Sequence, residues 1–170
     1  DYKKLILKSN FNFVEFHLSY QDLGFNLKKF FKGIETINFA VHSPELFEND
    51  HLMDLTSENE EYRNHSISEL NRVCEQTRQL KTYFPSTGRP VIVINAGGFS
   101  TDGFIDKESR SGMYERVAES LKCVNQDGVE IIIQTMPPFP WHFGGQNFHN
   151  IFVDPDEIVR FCTNYGYRIC

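Results

Sequence analysis

Val91-Ile-Val-Ile-Asn-Ala-Gly-Gly98 decides the fold of this 170-residue chain. Four consecutive apolar residues follow Gly88 and Pro90 and run into Asn95 and two glycines. Such a run reads as a strand buried on both faces, the kind that parallel sheets require. Before it, Ile67, Leu70, Val73, Cys74, Thr77, Leu80 and Phe84 keep one helical stripe, and Ser66-Ile-Ser-Glu69 has the form of a capping box at that helix's start. After it, Met113, Val117, Leu121 and Val124 mark a second helix, ended near Asp127-Gly128. Val129-Glu-Ile-Ile-Ile-Gln-Thr-Met136 is the next strand, stopped by Pro137 and Pro138. Asp154-Pro-Asp-Glu157 starts a third helix by three signals: an Asp cap, Pro at the first helical position, and Glu three residues after the cap. Its stripe is Ile158, Phe161, Cys162 and Tyr165, Gly166 ends it, and Tyr167-Arg-Ile-Cys170 begins another strand.

Upstream, Thr36-Ile-Asn-Phe-Ala-Val-His42 is a β-rich run ended by Ser43 and Pro44. Phe13-Val-Glu-Phe-His-Leu18 alternates with period two: Val14, Phe16 and Leu18 form an apolar face, and Phe13, Glu15 and His17 form the other. Residues 20–33 carry Leu23, Leu27, Phe30 and Phe31 at roughly helical spacing and predict a helix stopped by Gly33. Tyr2, Leu5 and Ile6 have helical spacing at the N-terminus, and residues 45–63 read as a long acidic loop with one helical turn. Alternating strands and helices imply an α/β protein whose crossovers build a parallel sheet. Neither a repeat nor a linker divides the chain, and it is shorter than the roughly 250 residues of a complete eight-stranded (β/α) barrel.

Composition excludes several function classes. Hydrophobic residues at 40%, with 16 Phe, supply a sizeable core and rule out disorder. A formal charge of −6, with Lys28, Lys29 and Lys32 as the only basic cluster, argues against nucleic-acid binding. No apolar run approaches the ~20 residues of a membrane span. Cys74, Cys123, Cys162 and Cys170 are dispersed, which predicts reduced core thiols in a cytoplasmic protein.

In parallel α/β folds ligands meet the carboxyl ends of the strands. Those ends carry Glu15 and His17, then His42 followed by Glu45, then Asn95 with Gly97 and Gly98, then Gln134, with Trp141 in the loop beyond. Each has two readings. Glu15 and His17 are either a catalytic pair or an inert hydrogen-bonded one, and His42 is either functional or bonded to backbone. The glycines either admit a phosphate or sugar to the backbone or make a tight turn. Trp141 either stacks on a sugar face or packs the loop. No dinucleotide fingerprint or phosphate loop is present.

The same strand ends carry a family resemblance. Phe13-Val-Glu-Phe-His17, Phe39-Ala-Val-His-Ser-Pro-Glu45, the Asn64–Phe84 stretch, Val91–Gly98 and Ile131-Ile-Ile-Gln-Thr-Met-Pro-Pro138 resemble, in order and spacing, successive blocks of the xylose-isomerase-like TIM-barrel superfamily. This group includes sugar phosphate isomerases and epimerases and the apurinic endonuclease family. The resemblance implies an incomplete parallel (β/α) barrel, about strands 2 to 6 of 8, with residues 1–170 as one partial domain of a longer chain. It implies a sugar or sugar-phosphate isomerase or epimerase that abstracts a proton next to a carbonyl, with Glu15 and His17 catalytic. His42, Asn95, Gly97, Gly98, Gln134 and Trp141 would contact substrate. The expected partners are a small sugar and either a fused domain or a second copy of the chain. His42 also matches a family metal-ligand position, for Zn, Mn or Mg. Asn95 and Gln134 stand where metal-binding relatives carry His and Glu, and an amide brings neither charge nor basicity. The resemblance therefore implies a weak or absent metal site in this segment. The alternatives are a non-catalytic module of a larger carbohydrate-biosynthesis protein and, on the superfamily alone, a nuclease.

Overall fold

The computed structural model describes residues 4, 8–139 and 145–170. The predicted helical turn at Tyr2, Leu5 and Ile6 and the predicted contact at Trp141 lie outside the described residues. Four strands form one parallel sheet: β1 (Phe13–His17), β2 (Asn38–His42), β3 (Val91–Ile94) and, after the short β4 (Phe99–Ser100), β5 (Glu130–Ile133). Neighbours in the sheet follow chain order, as in a (β/α) barrel that has not closed. The chain's end continues the pattern: Ile169 bridges Ile133 in parallel, and the Thr135 N–H donates to the Cys170 carbonyl at 2.8 Å. The long crossovers are α1 (Glu60–Lys81) and α2 (Lys107–Lys122), and α3 (Pro155–Tyr165) follows a two-residue strand, β6 (Phe148–His149).

Side-chain alternation decides which face meets the helices. Phe39, Val41, Ile92, Ile94, Ile131 and Ile133 point one way and are fully or almost fully buried. Phe16 joins them from β1 and makes edge contacts with Phe39 and Phe84, ring centroids 6.1 and 5.6 Å apart. A second aromatic group, Tyr114, Phe152 and Phe161, seats α3, with adjacent centroids 5.1 Å apart. The opposite face carries Glu15, His17, Ala40, His42, Val93 and Ile132. The register sets His17 beside His42, His42 beside Val93 and Val93 beside Ile132.

Burial, and after it the Glu15 carboxylate, raises the Cys170 thiol above its ordinary range.

Three expectations change. Residues 20–33 hold two single turns, Tyr20–Asp22 and Leu27–Lys29, in place of a helix. Between them Gly24 takes φ +84°, which ends any helical path. Ser66 is not a cap: α1 starts seven residues earlier, where the Asn59 side chain accepts the Tyr62 N–H at 3.1 Å. Finally, of the four free cysteines only Cys74 is a core thiol, pushed up to about 11 by burial, whereas Cys123 and Cys170 are exposed. The cap before α3 forms as expected, Asp154 accepting from the Asp156 and Glu157 N–H groups, with Gly166 left-handed at the other end.

An N-cap carboxylate or amide contributes about 1 kcal/mol. Asn59→Ala should lower stability by that amount in urea unfolding.

Candidate functional site

The carboxyl ends of the four strands lie along one edge of the sheet, and the polar side chains predicted there form a connected line. Glu15 Oε1 lies 2.8 Å from His17 Nε2. The pair is open to solvent, with side-chain exposures of 39% and 72%, so it is available for chemistry and adds little to stability. The His17 ring stacks on His42, centroids 4.8 Å apart and planes within 7°. This follows from the register, since the two histidines are direct neighbours on β1 and β2.

His42 is held at both ring nitrogens. Nδ1 lies 3.1 Å from the Ser43 carbonyl and Nε2 lies 2.9 Å from Gln134 Oε1. The Gln134 amide in turn reaches Glu45 Oε1 at 3.5 Å. Glu45 was not among the predicted site residues; its signal was its place immediately past the strand end in His-Ser-Pro-Glu.

Asn95, Gly97 and Gly98 sit in a buried turn beside this line. Asn95 Oδ1 accepts the Gly97 N–H at 3.0 Å, and Asp54 Oδ1 accepts the Gly98 N–H at 3.1 Å. The Gly98 carbonyl accepts from both the backbone and the side-chain amide of Asn150. Both glycine N–H groups are thus committed within the protein. Glycine is required at 97: its φ is +86°, and a Cβ there would lie 2.4 Å from Asp54 Oδ1 and 2.5 Å from Asp54 Cα. Asp54 and Asn150 are neighbours of this turn that sequence reading missed, since both lie in loops without periodicity.

The residues present do not fit a divalent metal. Both nitrogens of His42 already face hydrogen-bond partners, and Asn95 Oδ1 is bound to backbone. Among the described residues no three His, Cys, Asp or Glu side chains cluster as a metal would need. Nor is any helix among them long and apolar enough to cross a membrane.

A parallel sheet in chain order with helical crossovers is the arrangement of part of a (β/α) barrel, and the polar line lies at the strands' carboxyl ends. The family model for the xylose isomerase-like TIM barrel matches residues 4–168, and the chain belongs to that family. It is similar to the crystal structure of a D-tagatose 3-epimerase-like protein, with a TM-score of 0.61 and 16% identity. The match covers 95% of this chain and 55% of that one, so the chain spans little more than half of that structure. No curated protein matches the sequence significantly.

The crowding at residue 97 sets a test. Gly97→Ala combines a disfavoured φ with a backbone clash and should cost about 3 kcal/mol or more in denaturant unfolding.

Proposed function

We propose that the chain supplies part of the active-site mouth of a sugar or sugar-phosphate isomerase or epimerase, in which Glu15 is the proton-transferring base. The observation that carries this reading is the exposed Glu15 carboxylate hydrogen-bonded to His17 at the carboxyl end of β1. A carboxylate there takes a proton from the carbon next to a sugar carbonyl, and the electron pair moves onto the carbonyl oxygen. In isomerisation Glu15 returns the proton to the neighbouring carbon; in epimerisation a second acid on the opposite face would deliver a proton to the same carbon while Glu15 keeps the one it took. His17 orients Glu15 and shares its proton. Stacked His42, anchored at both ring nitrogens by Ser43 and Gln134, orients His17.

In this reading Asn95 uses Oδ1 to hold the turn and keeps its Nδ2 amide for a substrate hydroxyl. Gly97 and Gly98 serve through the turn they permit rather than through a free N–H. Gln134 positions His42. The family resemblance and the epimerase-like structural neighbour support the sugar as substrate class. A second reading, a sugar-binding module without turnover, is favoured by one observation: both nitrogens of His42 are already engaged.

The test is exchange of carbon-bound hydrogen for solvent deuterium on aldoses, ketoses and their phosphates, using the intact protein. Exchange is expected, with a loss of 100-fold or more in Glu15→Gln and a smaller loss in His17→Gln. Undiminished exchange in Glu15→Gln would remove Glu15 as the base. Saturable sugar binding without exchange would establish the second reading.

A further inference from the structure

We propose that neutral His51 pins a strap, residues 43–58, against α1 and thereby positions the Asn95–Gly98 turn, so that adding a proton to His51 loosens that turn. His51, Ser66 and Asp54 are then positioning residues for the mouth. The inference rests on the reading of that mouth as the functional site.

The strap touches the turn directly. Asp54 Oδ1 accepts the Gly98 N–H, and it also accepts the backbone and hydroxyl of Thr56 at 2.9 and 2.7 Å. The Leu55 N–H donates to the Ala96 carbonyl at 3.0 Å. The space left by the absent side chain of Gly97 is filled by Asp54 and the Met53 carbonyl. The turn therefore cannot keep its form unless residues 53–55 stay in place.

Those residues are fastened to α1 through Ser66. The Ser66 hydroxyl, fully buried in mid-helix, accepts the Asp54 N–H at 3.0 Å and lies 2.9 Å from His51 Nε2. In this proposal the serine, which takes the Asp54 N–H on one lone pair, gives its single proton to His51, so that Nε2 is bare and the ring proton sits on Nδ1. Tyr62 clamps the neighbouring residue: its hydroxyl donates to the Leu52 carbonyl at 2.9 Å and accepts the Leu52 N–H at 3.1 Å.

A second proton on His51 would put an N–H where Nε2 accepts in this proposal, and the serine's own proton would have to turn to another acceptor. It would also charge a ring that is 8% exposed. The rings of Tyr62 and His65 from α1 lie 4.2 Å from it, and Phe47 of the strap lies beyond. The charged groups facing His51 are His65 and Glu69 on α1, the latter paired with Arg72 at 2.8 Å, and Asp54 on the strap. Burial and His65 oppose the proton, Glu69 and Asp54 favour it, and the balance holds His51 below its ordinary value. A histidine lowered in this way contributes stability that is fully present above about pH 6.5 and declines as pH falls through that value toward the folded-state one.

The experiment is an NMR titration of the intact protein from pH 8 to 5, following the His51 ring nitrogens and the amides of Gly97 and Gly98. At pH 8 the ring is expected as the Nδ1–H tautomer. The Gly98 amide should shift with the same midpoint as His51, below 6.5, and exchange with solvent about 10-fold faster at the acid end. His65→Gln should raise that midpoint. His51→Gln, which still offers Ser66 an acceptor, should keep the turn and abolish its pH response. A Gly98 amide indifferent to the His51 titration, or a ring carrying its proton on Nε2 at pH 8, would overturn the proposal. The readout uses no turnover, so failure of the isomerase reading leaves it measurable, and its own failure leaves the isomerase reading standing.

Discussion

Parallel pairing is the constraint on which the rest of this molecule depends. Strands that run the same way must each be fed by a crossover, so every strand presents its carboxyl end on one edge of the sheet. The ladder from Glu15 opposite Ala40 to Ile94 opposite Ile133 therefore does more than hold the core. It fixes the height of each polar residue above the sheet. His17 and His42 stack because they are register partners, and Gln134 meets His42 because it lies two residues beyond Ile132 on the same face.

The same geometry separates stability from chemistry. The face carrying Val41, Ile92, Ile94 and Ile133 is sealed by α1 and α2. The face carrying Glu15 and His17 stays wet. Between the two lies the Asn95–Gly98 turn, buried yet polar, whose hydrogen-bonding groups are matched by Asp54 and Asn150. Burying such groups without partners would cost several kcal/mol. Two loops distant in sequence are therefore tied to the end of β3.

Local signals were legible in the sequence and tertiary ones were not. Asp154-Pro-Asp-Glu157 specifies a helix start within four residues, and it forms as read. The run Val91–Ile94 forms the parallel strand that it announces, but only Ile92 and Ile94 are buried, whereas Val91 and Val93 are half-buried, so burial on both faces is not what the run encodes. Ser66-Ile-Ser-Glu69 has the same local grammar as a cap, but its serine serves His51 and Asp54 across the chain, while Asn59 does the capping. Residues 20–33 have helical spacing, yet Gly24 diverts the backbone. Strands β4 and β6 pair antiparallel through Phe99 and His149, fifty positions apart and two residues long each, too short to leave a periodic trace. The identities at the mouth could be read from strand ends; the roles of Glu45 and Asp54 depend on distances that no spacing encodes.

That small ribbon has a mechanical consequence. It joins the segment after β3 to residues 148–150, and Asn150 adds bonds to the Gly98 carbonyl and the Ser100 hydroxyl. Neither piece can move away from the other without breaking these shared bonds, so two stretches fifty positions apart act as one brace beside the end of β3.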